Sequence, residues 1–339
     1  MNEPPEGAPS PVLFFQTLTA YQKSAAVRAA IELDLFTAIA DGRATAREIA
    51  ERCGASKRGV RILCDYLTIL GFLAKTGERY SLTSDSAVFL NRNSPAYAGG
   101  AAEFLLSSSL TTAFEHLSDA VRKGGTAQSS EGTMAPEHPV WIAFARGMAA
   151  MMAAPAEMLA DLLPLATDRA VKILDISASH GVWGIALARR AASAQLVAVD
   201  WAPVLQVARE NATAAGLEDR FTAIAGSAFD VDFGSDFDVV LIPNFLHHFD
   251  ADTCMKFLRK VHSALRSGGR VAITEFVPNA DRITPPDAAA FSIVMLATTA
   301  SGDAYTFMEY ERFLGESGFR ALEQHPLFPS AATAIIARK

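Results

Sequence analysis

From residue 171 onward, short apolar runs rich in β-branched residues alternate with stretches of helical periodicity. The runs are VKILDI (171–176), QLVAVD (195–200), RFTAIA (220–225), FDVVLI (237–242) and GRVAITEF (269–276). Helical patterns fall near 182–192, 203–215 and 251–266. Strands that alternate with helices lie parallel, and the helices cover both faces of the sheet. The end of the chain departs from this rhythm. A helix near 307–317 stops at SGF, and FRALEQHP (319–326) and ATAIIARK (332–339) then face each other across a Pro-containing link. Two consecutive strands so joined pair antiparallel. The expectation is an α/β, Rossmann-like doubly wound sheet that ends in an antiparallel hairpin.

The first part of the chain reads as helical. Apolar residues keep helical spacing through 14–40. Thr45 with Glu48 predicts a capping box for a short helix ended by Gly54. Ser56 predicts a second helix with an apolar face of Val60, Ile62, Leu63, Leu67 and Leu70, stopped by Gly71. FLAK, a turn at Thr76-Gly77-Glu78 and RYSLT predict a small hairpin. Helix, turn, helix and two-stranded wing make a winged-helix pattern. Residues 100–165 read as helical around a loop at 123–139. Within them, 140–164 is a Met-rich helix, expected to bend or break near Pro155. The expected organisation is a disordered tail over 1–11, a winged-helix-like α-rich domain over 12–95, a helical connector over 96–165 and the sheet domain over 166–339.

Charge and cysteine content narrow the partners. The formal net charge is −7 and the pI about 5.5, a balance that argues against wrapping nucleic acid or coating anionic lipid. Cys53, Cys64 and Cys254 show no metal-type spacing and read as buried thiols in a reducing compartment. The start, MNEPPEGAPSP, is acidic and Pro-rich, unlike a signal peptide. No apolar stretch is long enough to span a bilayer. A cytoplasmic protein without metal, membrane or nucleic-acid partner is expected.

The chemistry begins at ILDISASHGVWGIALA (173–188), where the first parallel strand runs into a small-residue turn and a helix. Such sheets bind ligands beyond the carboxyl ends of their strands. Ser177, Ala178, Ser179 and Gly181 are small enough to let backbone approach a cofactor. Ser179-His180-Gly181-Val182-Trp183-Gly184 is a dinucleotide fingerprint without its first glycine, and Asp200 ends the second strand, placed to grip ribose hydroxyls. The turn alone leaves nicotinamide and S-adenosylmethionine sites both open. Asp175 favours the latter, since a carboxylate there suits an ammonium and repels a pyrophosphate. The terminal hairpin, foreign to simple dinucleotide domains, points the same way. His180 reads as a helix-start residue.

Six segments together carry a resemblance. They are AAIELDLF, ILDISASHG, VDWAPVLQVAREN, PNFLHHFDADTC, LRSGGRVAITE and VMLATTASGDAYTFMEYERFLGESGF. From about residue 12 to the end, the chain resembles the class I S-adenosylmethionine-dependent small-molecule O-methyltransferases of the plant caffeate and animal hydroxyindole type. The resemblance implies an N-terminal winged-helix dimerisation domain, a homodimer, S-adenosylmethionine as methyl donor with S-adenosylhomocysteine as product, and a small, aromatic acceptor of secondary metabolism. It implies His247 as general base and Glu275 as the carboxylate that orients it. Asp175, Ser177, Ser179, Gly181, Asp200, Trp201, Gly226, Ser227, Ala228, Phe229 and Asn244 fall at cofactor-binding positions. Phe144, Met148, His248 and Met295 fall at acceptor-pocket positions.

The departures from the family pattern are specific. Ser177 and Ser179 replace loop glycines, and Ser227 replaces an aspartate at the adenine side, where Asp230 is the substitute on hand. A second orienting glutamate falls on Ala304, leaving Asp303 or Tyr305 to compensate. Carbon or nitrogen methylation, or a non-methylating reaction on the same fold, is the alternative chemistry. A winged-helix DNA-binding regulator is the alternative class, with Lys57, Arg58 and Arg61 as its few phosphate contacts.

Overall fold

The computed structural model describes residues 9–128, 132–135 and 137–339. Most of the expected tail, residues 1–8, and part of the expected 123–139 loop lie outside the described residues. The chain divides into two compact units, one ending at Ala102 and one running from Glu103 to Lys339. Among the described residues, no helix is long and apolar enough to cross a membrane.

The first unit is helical apart from a two-stranded hairpin, β1 (Leu73–Thr76) and β2 (Arg79–Leu82), paired antiparallel. The helical pattern over 14–40 is carried by three helices, Val12–Leu18, Ala20–Glu32 and Leu35–Ala40. Thr19 leaves helical geometry, and Asp34 sits at φ 53°, a left-handed conformation that stops one helix and starts the next. Thr45 caps the helix Ala46–Cys53 through a reciprocal pair. Its hydroxyl accepts Glu48 N–H at 3.3 Å, and Glu48 takes the Thr45 N–H at 2.9 Å. Those bonds pull the Glu48 carboxyl down to about 2. Gly54 closes the helix at φ 62°. On the next helix, Lys57–Ile69, the buried stripe is Val60, Cys64 and Leu67; Ile62, expected on that stripe, is exposed.

The second unit is built on a seven-stranded sheet. Its strands are β3 (Val171–Ile176), β4 (Ala194–Asp200), β5 (Phe221–Ala225), β6 (Phe237–Pro243), β7 (Leu265–Phe276), β8 (Arg320–Pro326) and β9 (Ala332–Arg338). Their order is β5-β4-β3-β6-β7-β9-β8, with β3 to β7 parallel and β9 antiparallel to both β7 and β8. The terminal hairpin lies where the sequence places it. Side chains alternate between two apolar layers, as the pleat demands. Ile173, Leu196, Val239 and Ala272 join a layer with residues of the helices Val140–Leu162, Val182–Ala188 and Ala202–Ala214. Leu174, Val199, Val240 and Ile273 join the opposite layer with Ala251–Ala264 and Phe307–Glu316.

The helix Val140–Leu162 continues through Pro155 without a break, where the sequence led us to expect a bend or break. Met152 and Met158 on it pack against the first core layer, while Met151 is exposed. Its methionines are therefore largely core-filling, the use to which their flexible side chains are suited.

Thr45→Ala should remove one half of the capping box and destabilise the first unit by about 1 kcal/mol. Thermal denaturation followed by circular dichroism would register this as a lowered Tm, and an unchanged Tm would mean the cap contributes nothing.

Candidate active site

Every parallel strand delivers one piece of the site from its carboxyl end, around the point where strand order reverses between β3 and β6. Asp175 lies in β3, Asp200 ends β4, Gly226 follows β5, Asn244 and His247 follow β6, and Glu275 lies near the end of β7. The five segments are tied together by backbone bonds. Gly226 N–H donates to the Asp200 carbonyl at 3.0 Å and Asn244 N–H to the Thr274 carbonyl at 2.8 Å.

The turn after β3 is held by two acids. Asp175 Oδ2 accepts Gly184 N–H at 2.9 Å, inside the first turn of the helix Val182–Ala188. Asp200 Oδ2 accepts Ser179 N–H at 2.8 Å, and its Oδ1 accepts Trp201 N–H at 2.7 Å. Ser177, Ser179 and Gly181 have φ values of 56°, 52° and 72°. Left-handed backbone is where glycine is at ease, so each serine stores about 1–2 kcal/mol of strain. The loop carries hydroxyls at two of its three left-handed positions.

In the cradle, Asp175 Oδ1, Ser179 Oγ and Asn244 Oδ1 are buried without a hydrogen-bond partner among the described residues. Native interiors seldom leave such groups unpaired. Burial raises the Asp175 carboxyl well above its ordinary range, with the nearby Asp200 charge adding to it. Burial likewise pushes Asp200 up to about 6 against the two amides that stabilise its charge. Unsatisfied acids and hydroxyls in a small-residue cradle fit a polar, cation-bearing ligand with hydroxyls, which S-adenosylmethionine is. At Gly184 a Cβ would lie 2.7 Å from Asp175 Oδ2 and 2.6 Å from Leu196 Cδ1.

Around the adenine-side positions, Ser227 Oγ accepts Phe229 N–H at 3.2 Å. Phe229 packs its ring among Phe245, Phe249 and Phe257, and Ala228 is buried in the same layer. Asp230, the expected substitute for the missing aspartate, is exposed. Trp201 starts the helix Ala202–Ala214 and packs against a small cluster of Ala145, Val204 and Val207.

The second constellation is a buried imidazole–carboxylate pair. His247 Nδ1 and Glu275 Oε2 form a very short bond. Glu275 Oε1 meanwhile accepts three successive backbone amides, from Phe245 at 3.1 Å, Leu246 at 2.9 Å and His247 at 3.3 Å. The carboxylate sits at the start of the single helical turn Leu246–His248 and is fully buried. Its acceptor role assigns the His247 proton to Nδ1 and leaves Nε2 as the basic nitrogen. His248 Nδ1 bonds the Phe245 carbonyl at 3.1 Å. Burial, with His247 beside it, holds His248 well below the usual imidazole range, so it stays neutral. Asp303 and Tyr305, the expected compensations for Ala304, are both engaged elsewhere. Asp303 binds Arg282 at 3.2 Å and its own following amide, and Tyr305 donates to the Phe249 carbonyl at 2.6 Å. Glu275 is thus the carboxylate that braces His247.

Rings surround the pair. His248 is 4.2 Å from His247 and 5.4 Å from Trp141, between ring centroids. Trp141 meets Phe144 at 5.9 Å, and Phe144 meets Phe104 at 5.0 Å and His180 at 6.1 Å. Phe291 meets His247 edge-on at 4.8 Å and stacks on Phe276. Phe144 is therefore placed among the rings. Met148 and Met295 are buried one helical turn beyond Phe144 and Phe291 respectively. Sequence reasoning missed Phe104, Trp141 and Phe291. The available signal was helical spacing, Trp141 three residues before Phe144 and Phe291 four before Met295.

This strand order with this cradle defines a class I methyltransferase. Residues 114–320 match the O-methyltransferase domain family, and residues 15–92 match the O-methyltransferase dimerisation domain. The chain belongs to the O-methyltransferase family and is an enzyme of that kind. It is 31% identical over 330 residues to 3-hydroxy-5-methyl-1-naphthoate 3-O-methyltransferase of Streptomyces sahachiroi, covering 96% of this chain and 94% of that one. The crystal structure of a candidate O-methyltransferase from Nostoc punctiforme PCC 73102 is similar with a TM-score of 0.94 at 55% identity, covering 98% and 100% of the two chains. Human N-acetylserotonin methyltransferase, solved in complex with SAM, shares the fold with a TM-score of 0.82 at 19% identity, covering 99% of each chain.

Gly184→Ala should drive a methyl group into Asp175 and Leu196 and destabilise the second unit by about 1–3 kcal/mol. Differential scanning calorimetry is the check, and a wild-type transition temperature would show that the turn relaxes freely.

Proposed function

We propose that this enzyme moves a methyl group from S-adenosylmethionine to a hydroxyl of a small aromatic acceptor, with His247 as general base. The observation that carries the reading is His247 locked by a fully buried Glu275 beside a run of aromatic rings. The hydroxynaphthoate relative supports an aromatic acceptor. When bound, S-adenosylmethionine supplies an electrophilic methyl group on a positively charged sulfur. Asp200 accepts the ribose hydroxyls on its remaining lone pairs, and Asp175 Oδ1 takes the ammonium. Ser177, Ser179, Gly181 and Asn244 line the amino-acid side; Trp201, Gly226, Ser227, Ala228 and Phe229 border the adenosine.

A phenol has a pKa of about 10, so its proton must leave as the oxygen attacks. His247 Nε2 accepts it, and Glu275 stabilises the imidazolium that forms. Phe144, Met148, His248 and Met295 wall the acceptor and exclude water. A dry pocket favours a step that annihilates charge, and alignment of the reacting atoms contributes most of the rest. The protein is cytoplasmic in this reading. It pairs as a homodimer through its first unit, where Leu13, Phe14, Phe15 and Leu18 form an exposed apolar patch that a partner copy would cover.

Glu275→Gln keeps an acceptor for the three amides but offers His247 a donor, which favours the wrong tautomer. Turnover should fall about 10²–10⁴-fold, as should that of His247→Ala, while S-adenosylhomocysteine affinity by calorimetry stays near wild type. Full kcat in either variant would remove His247 from the chemistry.

The Asp200 assignment has a pH signature. Ribose hydroxyls prefer the ionised carboxylate, and Asp200 loses its proton near pH 6. S-adenosylhomocysteine should therefore bind progressively more weakly as pH falls through about 6. Asp200→Asn should bind weakly at every pH and flatten that dependence. A retained pH slope in the variant would assign the titration to another group.

A further inference from the structure

His180 takes no part in the chemistry above, yet its surroundings prepare it for a ligand. The residue is 1% exposed. Its Nδ1 accepts Val182 N–H at 3.2 Å, and its carbonyl accepts Asn211 Nδ2–H at 2.8 Å. Side chain and backbone are thus both anchored. A ring nitrogen that accepts an amide must present its lone pair, so the proton sits on Nε2. Burial lowers the ring to about 4 and no neighbouring charge contributes, so it is neutral and carries one N–H. That N–H is buried and has no hydrogen-bond partner among the described residues.

The rings around it indicate which ligand it serves. His180 lies nearly parallel to Phe144, with an interplanar angle of 17°. Phe144, Trp141, His248 and His247 continue the run, ring against ring, to the base. The stacking on Phe144 places the ring in the aromatic wall. An unpaired donor in such a wall rejects a ligand that cannot satisfy it and selects one that can.

We propose that His180 Nε2–H donates a hydrogen bond to a second oxygen of the acceptor, a carbonyl or carboxylate on the ring system that bears the methylated hydroxyl. The acceptor class is then hydroxyaryl carbonyl compounds rather than simple phenols. This rests on the proposed function, because the hydroxyl is still the group at His247.

The test uses matched pairs of acceptors with one, two or three fused rings, each pair a plain aryl alcohol and its counterpart carrying an ortho carboxylate or carbonyl. Binding is measured by calorimetry with S-adenosylhomocysteine present, and turnover by formation of S-adenosylhomocysteine. Wild-type enzyme should prefer the carbonyl member by at least about tenfold. His180→Asn places an oxygen where Nδ1 accepts Val182 and removes the Nε2 donor. It should lose the preference through KM while keeping kcat on plain alcohols and affinity for S-adenosylhomocysteine. His180→Gln restores a donor near Nε2 and should recover part of the preference. A wild-type enzyme indifferent to the second oxygen, or a His180→Asn enzyme that keeps the preference, overturns the assignment while methyl transfer stands. Selective binding of the carbonyl members without methyl transfer supports His180 and overturns the proposed function instead. Binding of neither member of any pair overturns both.

Discussion

The site depends on one carboxylate. Glu275 ends a buried strand, and an isolated charge there would be costly. It is made tolerable by four bonds: three consecutive amides at the start of the Leu246–His248 turn and the imidazole of His247. The same bonds fix the turn, because an amide triplet can converge on one oxygen only if the chain after β6 curls back over β7. The sheet register that places Pro243 opposite Thr274 brings those two strand ends level. Fold, turn and tautomer are therefore consequences of a single buried acceptor, and the histidine cannot be repositioned without leaving the carboxylate uncompensated.

The cradle after β3 is organised on the opposite principle. There the acids are incompletely satisfied, and the backbone is strained at Ser177 and Ser179. Such residues persist only where the surroundings over-determine them. Asp175 and Asp200 supply that determination by gripping the amides of Gly184 and Ser179. Glu275 is fully engaged by its donors, whereas Asp175 keeps one oxygen unpaired. The serine Cβ atoms cost the loop some strain at these left-handed positions.

Much of this was legible in the sequence. Alternation of apolar runs with helical periods fixed the parallel sheet, and two adjacent runs at the end fixed the hairpin, because both patterns are local. The capping signal at Thr45 and Glu48 was readable for the same reason. Breaks inside a continuous apolar periodicity were not. Thr19 and Asp34 divide the first helix by backbone conformations that their side chains do not announce. Pro155 does not end the helix Val140–Leu162, whose burial against the sheet outweighs one lost hydrogen bond. In the site, Asp175 and Asp200 were readable from the strand-turn-helix pattern, while Gly226, Asn244, His247 and Glu275 came only with the resemblance. The aromatic wall was only partly found, because Trp141 and Phe291 come together through tertiary packing. The fates of Asp303 and Tyr305 were decided by Arg282 and the Phe249 carbonyl, long-range partners that no motif contains.

Ala304 makes the balance at the base distinctive. With no second carboxylate there, a positive charge formed on His247 in the proposed reaction would have Glu275 to meet it and a neutral imidazole beside it. His248 would worsen that state if it were itself protonated, since the two rings are 4.2 Å apart. Burial and the neighbouring His247 keep the ring uncharged, while the Phe245 carbonyl accepts the proton carried on Nδ1. Under the proposed function, the rings of Trp141, Phe144 and Phe291 lower the local dielectric around an ion pair of His247 with Glu275, which strengthens the attraction that the single carboxylate supplies.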